Sequence, residues 1–411
     1  NKAMLYDFQL YAQNRFIEHA AFLDSTFDKY GGDLNVNSYF KIEEMNVHWN
    51  STDYENRSRV NLEGLARVTD IVGCDGGATP FPNDAKYNML WEQIGFFYDL
   101  YRSAEPNKPI YDAEWHSADG PYTTPDVPEG HMRQALRLAA YHGMGGTTIW
   151  TYTRPLYQHW EFKDIMAFAQ PFVINDFYTE AAAIENELPR ILPFPRSERD
   201  IYIYYSPASH ARDVGAYAES IRGIFEGLYF KDVQIGFATE DMLADPEFLA
   251  SGKVKRLVIP EARYTTKKAF EGIKTLAKSG VPIAVFGDAL QADDYGEDIA
   301  ERLAGNVKRL PAANYDKIGD DVIKFFGMER KYTLKEESGR HPDYIEARFA
   351  EEDGETLGYA INLGKQTKKF KITGVSGAPA RIAEYKRGQL LAPVREIELA
   401  PRECINFNIV K

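Results

Sequence analysis

Two apolar runs of the sequence end on side chains that suit chemistry on a sugar. One run ends on Glu114, Trp115 and His116, and the other, about one helix later, ends on Trp150. A carboxylate held at a rigid strand end can attack or stabilise an oxocarbenium-like centre, while indole rings pack against the apolar faces of a pyranose. The sequence therefore predicts a catalytic Glu114, with Trp150, Trp115 and His116 contacting the substrate.

Two more polar residues belong to strand-like runs of the same kind. Asn37 lies in the run 34–40, and Asp75 directly follows the run 68–74. Catalytic and binding residues of β/α barrels collect at the carboxyl ends of the strands, so both are predicted to bind substrate. Asn and Asp are also common in turns for local backbone reasons, and this alternative stays open for both residues.

The other candidates have ordinary interpretations as well. Glu114 could be a solvated or salt-bridged carboxylate at a strand end, and Trp150 could simply pack in the core at the rim of a barrel. Trp115 and His116 could have a role at the surface or at a domain interface. His142, which precedes a glycine-rich turn, fits a histidine at a helix end better than a functional one.

The elements that must position these residues alternate between strand and helix over residues 1–190, as in parallel β/α units. The alternation contains four strands, with one helix before the first, which corresponds to half of a (β/α)8 TIM barrel and not to a whole one. One apolar face of that first helix is predicted from residues spaced three and four apart, namely Phe8, Ala12, Phe16, Ala20 and Leu23.

Two further domains follow a proline-rich stretch at 188–195. Strand and helix alternate again over residues 198–333, in the order of a doubly wound, amidotransferase-like α/β domain. This part contains neither cysteine nor a G-x-G-x-x-G motif, which argues against a cysteine nucleophile and against dinucleotide binding there. Short alternating runs over residues 334–411 predict a small antiparallel β-sandwich.

The composition of the chain limits the kinds of molecule that it is expected to bind. A net charge of −13 over 411 residues disfavours nucleic acid and anionic membranes as partners, and favours a neutral or cationic small substrate. Together with the predicted sugar-binding residues, this makes an oligosaccharide or β-glycoside the expected substrate. The two cysteines, Cys74 and Cys404, form no disulfide framework, and no metal or other cofactor is predicted. The sequence shows no signal-peptide pattern, so we expect a cytoplasmic protein. A secreted or periplasmic location stays open, because the chain opens on Asn1 and its start is interpreted as missing.

The order of the three parts resembles glycoside hydrolase family 42, whose members are mostly β-galactosidases. Segments 35–40, 69–75, 108–114 and 142–150 are similar to the fifth to eighth strands of that family's barrel. The resemblance implies a retaining β-glycosidase with Glu114 as nucleophile, an acid/base glutamate on a strand upstream of this chain, and a homotrimer formed through the middle domain. It also implies that an upstream half of the same protein is a partner.

Two other functions remain open at this point. A non-catalytic, carbohydrate-binding or assembly protein with a degenerate barrel would also keep a sugar cleft. A β-glycosidase with another specificity, such as a mannosidase or glucosidase, would have the same strand ends. The loops that decide sugar specificity have no recognisable pattern in the sequence.

Overall fold

A computed structural model of the chain describes residues 2–30, 39–40, 61–74, 76–80, 85–115, 127–149, 171–311 and 315–410. These residues form parallel sheets in the first and middle segments and antiparallel sheets in the last segment. Both kinds of sheet lie where the sequence predicts them. The mixed α/β character of the chain is therefore confirmed.

The first segment contains a four-stranded parallel sheet in the order β1-β2-β3-β4. Sequential neighbours with helices between them are the arrangement of consecutive β/α units. The elements are α1 (Lys2–Tyr30), β1 (Tyr39–Phe40), α2 (Leu62–Arg67), β2 (Ile71–Cys74), α3 (Glu92–Ala104), β3 (Ile110–Trp115), α4 (His131–Tyr141), β4 (Met144–Ile149) and α5 (Pro171–Ile191).

Local sequence signals explain where several of these helices begin and end. The Asn61 side chain accepts a hydrogen bond from the Gly64 amide at 2.8 Å and caps α2. Gly130, with φ of 77°, precedes α4, and His142 is its C-cap residue, which confirms the interpretation of His142 as a helix-terminal histidine. Pro189 lies in the last turn of α5, so the proline-rich stretch is helical up to Ile191.

The buried face of α1 agrees with the predicted one only in part. Ala20 is buried as predicted, but Phe8 is 65% exposed and Phe16 is 42% exposed, and Tyr6 and Gln9 are buried instead. The spacing rule finds a periodic apolar stripe but cannot say which side of a helix meets a neighbour, and α1 turns its Tyr6 side to the protein. No helix in the described ranges has both the length and the apolarity that a bilayer crossing requires.

The middle segment contains a five-stranded parallel sheet in the order β11-β9-β7-β5-β6. Because β6 and β7 flank β5 on opposite sides, the order of strands reverses at β5, as in doubly wound sheets. The elements are α6 (Pro193–Arg196), β5 (Ile201–Tyr205), α7 (Pro207–Arg212), α8 (Val214–Tyr229), β6 (Ile235–Thr239), α9 (Glu240–Ala244), α10 (Pro246–Ala250), β7 (Leu257–Ile259), β8 (Tyr264–Thr265), α11 (Lys267–Lys278), β9 (Ile283–Phe286), β10 (Ala292–Asp293), β11 (Val307–Leu310) and α12 (Tyr315–Phe325).

The last segment consists of two antiparallel sheets, β12-β15-β18 and β13-β14-β19-β16-β17. Side chains from both sheets form one apolar cluster that includes Leu334, Ala360, Phe370 and Phe407. The elements are β12 (Tyr332–Lys335), β13 (Ile345–Glu352), β14 (Glu355–Asn362), β15 (Lys368–Gly374), β16 (Arg381–Lys386), β17 (Gln389–Leu390), β18 (Ile397–Leu399) and β19 (Cys404–Val410).

Aromatic side chains join the three segments. Phe96 of α3 packs against Phe237 of β6 with ring centroids 4.6 Å apart, and Trp91 stacks on Tyr229 of α8 at 4.1 Å. Tyr141 of α4 stacks on Tyr359 of β14, with ring centroids 3.8 Å apart. These contacts belong to one buried apolar cluster that continues through all three segments. Extensive apolar interfaces of this kind hold the segments together as one body.

A buried group of charges lies inside this junction. His142 lies between the carboxylates of Asp99 and Glu346, with Nδ1 and Nε2 each 2.9 Å from a carboxylate oxygen. Glu346 of β13 also accepts hydrogen bonds from the hydroxyls of Tyr229 and of Tyr359, the latter at 2.7 Å. Each segment contributes to this group, which we call the junction cluster: Asp99 and His142, Tyr229, and Glu346 and Tyr359.

Protonation of His142 makes the junction cluster an ion network. Burial alone opposes a charge on the ring, but the Asp99 and Glu346 carboxylates raise the pKa of His142 to about 9. Burial also opposes ionisation of Glu346, and the charge and hydrogen bond of His142 overcome it and lower the pKa of Glu346 to about 2. Opposite charges that are buried together each favour the charged form of the other.

We expect folding stability to fall as the pH rises from about 6.5 to about 9. The pKa of His142 is higher in the folded state than in the unfolded chain. Its contribution to folding stability is therefore complete at pH values below the unfolded pKa, and it is lost as the pH rises through the folded pKa. The contribution of Glu346 has the opposite sign and is lost as the pH falls from about 4.5 towards 2. Urea unfolding curves recorded across both pH ranges measure these two losses of stability.

His142→Gln should lower the free energy of unfolding by about 3–5 kcal/mol near pH 6, because it removes the cation between two buried carboxylates and leaves Glu346, among the described residues, with only the Arg348 guanidinium, 3.9 Å away, as a cationic neighbour. It should also flatten the pH dependence above pH 6.5. His19→Gln on the exposed face of α1 is the matched control and should change neither quantity. An unchanged slope in His142→Gln would assign the alkaline loss of stability to another group.

Candidate active site at the carboxyl edge of the first sheet

The parallel order of the first sheet brings the carboxyl ends of its strands to one edge. Strands β2, β3 and β4 end at Cys74, Trp115 and Ile149, and neighbouring strands pair in register over most of their length. The pairing of β3 with β4 is irregular between Asp112 and Trp115, the stretch that contains Glu114. Residues at these ends can therefore face a common space, as the sequence predicts.

The structure describes two of the six predicted site residues. Glu114 is the second-last residue of β3, and its backbone belongs to the sheet, while its side chain lies outside the description. Trp115 ends the strand. The other four, Asn37, Asp75, His116 and Trp150, lie outside the described residues. Their predicted contacts with substrate stay predictions.

Trp115 is fully buried in the large apolar core, where it is among the largest side chains with no exposed surface. Within the described residues, no hydrogen-bond acceptor reaches its indole Nε1. This packing anchors the end of β3, and it differs from the surface or domain-interface role that the sequence offered as the alternative for Trp115. Contact between Trp115 and a substrate remains a prediction.

A carboxylate that the sequence analysis did not identify supports the same strand end. Asp112 is fully buried two residues before Glu114. Its Oδ2 accepts hydrogen bonds from the Gly76 amide at 3.0 Å and from the Tyr98 hydroxyl at 2.6 Å. The signal that could have revealed Asp112 is a carboxylate inside an otherwise apolar strand, since such a group needs partners when it is buried.

Asp112 thereby connects three elements around the candidate site. Gly76 follows β2, Tyr98 belongs to α3, and Asp112 belongs to β3. The contact at Gly76 leaves no room for a side chain, because a Cβ atom there would lie 2.4 Å from Asp112 Oδ2. Burial, followed by the charge of Asp112, holds the pKa of Tyr98 well above its usual range, so its hydroxyl stays a donor.

The remaining face of the sheet is more open. Thr148 of β4 is exposed and its hydroxyl contacts that of Tyr111 on β3, while Gly145 is also exposed. Strands β1 and β4 form the two edges, and each pairs with one neighbour within the ranges that the structure covers. A polar, partly open sheet face beside the strand ends is where a ligand could enter.

The middle sheet has a second polar cluster at its carboxyl edge. Burial raises the pKa of Glu240 to about 7, and the carboxylate accepts hydrogen bonds from Ser206 at 2.5 Å and Tyr204 at 3.1 Å. The Ser209 hydroxyl donates to the Tyr264 carbonyl at 2.6 Å. Ligands of doubly wound sheets bind at this switch point, but here the chain's own side chains satisfy one another.

Neither cysteine forms a disulfide. Burial raises the pKa of Cys404 to about 12, so this thiol stays protonated at neutral pH. Across the described part of the chain, no group of three His, Cys, Asp or Glu side chains could hold a metal ion.

Solved structures show which class of protein has this arrangement. The chain superposes over 99% of its length on the exo-carrageenase of glycoside hydrolase family 42 from Bacteroides ovatus, with a TM-score of 0.80 and 21% identity. It matches a catalytic mutant of a family 42 β-galactosidase from G. stearothermophilus over 99%, with a TM-score of 0.75 and 10% identity. It also matches a β-galactosidase from Bacillus circulans sp. alkalophilus over its whole length, with a TM-score of 0.73 and 11% identity.

The chain therefore has the fold of glycoside hydrolase family 42, as its sequence resemblance predicts. It spans 56% of the exo-carrageenase and 68% of each of the two β-galactosidases. No protein-family model and no curated protein matches the sequence. At these identities the likeness describes the fold of the chain.

Tyr98→Phe should lower the free energy of unfolding by about 1.5–3 kcal/mol, because it removes a hydrogen bond to a buried carboxylate. Equilibrium urea unfolding measures this difference. Gly76→Ala should destabilise as well, since its methyl group meets Asp112.

Tyr178→Phe is the matched control, because Tyr178 is 63% exposed on α5. Its free energy of unfolding should stay within about 0.5 kcal/mol of the unmodified protein. Equal effects of the two tyrosine substitutions would show that the hydrogen bond to Asp112 contributes nothing to stability.

Proposed function

We propose that the chain is part of a retaining β-glycosidase of the β-galactosidase type, with Glu114 as its nucleophile. The observation that carries the proposal is the position of Glu114, at the carboxyl end of β3 in a parallel sheet with the family 42 fold. In this proposal the first segment is the second half of a TIM barrel, followed by an amidotransferase-like domain and a β-sandwich.

The proposed reaction is a double displacement. The Glu114 carboxylate attacks the anomeric carbon while a second carboxyl group protonates the leaving oxygen, which gives a glycosyl ester. The second group then removes a proton from water, and the water attacks the same carbon and releases Glu114. Asp112, with its bonds to Gly76 and Tyr98, supports this role because it holds the strand from which Glu114 extends.

The acid/base in this proposal comes from an upstream half of the same protein. Two features of the described residues support a partner on this side. The sheet is open at β1 and β4, whereas a barrel is closed. Helix α1 also exposes apolar side chains along its length, including Phe8, Tyr11 and Phe22, and contiguous apolar surface of this kind typically marks an interface.

The family resemblance further supports assembly as a homotrimer through the middle segment. In that arrangement the active sites would face an enclosed space. Sedimentation equilibrium of the protein expressed from its complete reading frame would show a mass of three copies.

An exo-acting enzyme on carrageenan chains is the second candidate function. The observation that favours it is the 21% identity to the exo-carrageenase, against 10% and 11% for the two β-galactosidases described above. Both candidates use the same nucleophile, so they differ in substrate and not in mechanism.

Glu114→Gln should lower kcat on 2,4-dinitrophenyl β-galactoside by at least about a thousandfold, because the neutral amide cannot form the glycosyl ester. This leaving group needs no protonation, so the measurement reports the nucleophile independently of the acid/base. A 2-deoxy-2-fluoro-galactosyl label should appear on Glu114 in the peptide mass spectrum. The protein is expressed from its complete reading frame.

Glu129→Gln is the matched control, because Glu129 is exposed just before α4, and it should keep the full rate. Full activity of Glu114→Gln would exclude Glu114 as the nucleophile. A panel of aryl galactosides, glucosides and mannosides, together with carrageenan oligosaccharides, separates the candidate specificities. Sugar binding without turnover of any of them would favour the non-catalytic alternative.

A further inference from the structure

A cleft of about 560 Å³ separates the first and middle segments on the side opposite to Glu114. One wall includes Arg102, near the end of α3, and the loop that leads to β3. The other wall includes Arg196 and Arg199, just before β5, and Lys253, just before β7. The cleft therefore lies beside the amino ends of β3, β5 and β7, and residues of α9 and α10, including Asp241 and Phe248, complete its wall. Catalytic groups of parallel β/α sheets gather at the carboxyl ends, so this is a separate place on the molecule.

The cleft is rich in positive charge although the chain carries a net charge of −13. Six of its lining residues are Arg or Lys and four are Asp or Glu. Three of the acidic groups already have partners: Glu63 and Asp241 pair with Arg67, and Glu198 pairs with Lys255.

The three arginines have no such partner. Within the described part of the chain, no carboxylate lies within ion-pair distance of Arg102, Arg196 or Arg199. Burial lowers the pKa of Arg102, and the nearby charges of Arg199 and then Arg196 lower it further. Like charges that repel one another in a partly enclosed space create a favourable position for an anion.

Local contacts hold two of these side chains in place. The Arg102 guanidinium donates to the carbonyls of Pro106, Lys108 and Gly143 at 3.0–3.1 Å. Arg199 donates to the Pro195 carbonyl at 3.1 Å, and its methylene chain passes over Gly236, where an added Cβ atom would lie 2.7 Å from Arg199 Cγ. An anion that binds here would meet guanidinium groups that are already ordered, which lowers the entropy cost of binding.

We propose that this arginine cleft, formed by Arg102, Arg196, Arg199 and Lys253, binds a sulfate or phosphate group, either free or carried on a sugar. Planar guanidinium groups match the oxygen geometry of such groups and donate pairs of hydrogen bonds to them. The volume exceeds that of a free ion and is in the range of small-molecule sites. This inference does not depend on the proposed role of Glu114.

Calorimetric titration with sodium sulfate and with galactose 6-sulfate tests the proposal, using sodium chloride and galactose as matched injections. Binding should be saturable for at least one sulfate ligand and absent for chloride. Saturation by sulfate would indicate a site for the free ion, and saturation by galactose 6-sulfate alone would indicate a sugar-borne group. Either outcome supports the proposal only if the binding weakens when the arginines of the cleft are replaced.

Arg196→Gln with Arg199→Gln should weaken that binding at least about tenfold, because it removes two guanidinium groups and their charge-assisted hydrogen bonds to the anion. Arg381→Gln with Arg395→Gln, which removes two exposed arginines from the last segment, should leave it unchanged. If circular dichroism shows that the double cleft variant is not folded, the exposed Arg196→Gln variant takes its place. Equal affinities in the cleft and control variants, or no saturable binding of either sulfate or galactose 6-sulfate, would overturn the proposal.

Discussion

The buried ion network around His142 is the interaction on which the arrangement of the whole chain depends. It takes one carboxylate from α3, one from β13, a tyrosine from α8 and the imidazole that ends α4. All of these groups are charged or polar, and all are buried. Removing one of them leaves its partners buried without a counter-charge or hydrogen bond, which carries a large desolvation penalty. Because the partners come from all three segments, the network and the aromatic rings around it give those segments one relative position.

That relative position has consequences on both sides of the first sheet. At the carboxyl edge, Asp112 joins β2, β3 and α3 and orders the strand end that presents Glu114. At the amino edge, the docking of the first segment on the middle one brings Arg102 next to Arg196 and Arg199. The same packing thus supports the strand end with the candidate nucleophile at one edge of the first sheet. At the other edge it brings together three arginines that have no carboxylate partner among the described residues.

Most of the strands could be predicted from the sequence. Strands such as Ile201–Tyr205 and Ile235–Thr239 are continuous apolar runs, as expected for parallel strands covered on both faces. Val307–Leu310 was missed because two of its four residues are charged and it lies at the edge of its sheet. The buried face of α1 was predicted only in part, with Ala20 buried but Phe8 and Phe16 exposed. The reason is that periodicity identifies a stripe of apolar side chains but not the position of the neighbouring element.

The sequence by itself determined where strands end and which side chains stand there, because hydrophobic runs and turn residues are local properties of the chain. It therefore located Glu114 at a strand end, and its resemblance to family 42 agrees with the fold. Only the tertiary structure decided what surrounds those positions. The contact of Asp112 with Gly76 spans 36 residues and that of His142 with Glu346 spans 204. Such partners are chosen by packing in three dimensions, which is also what buries Trp115 in the core.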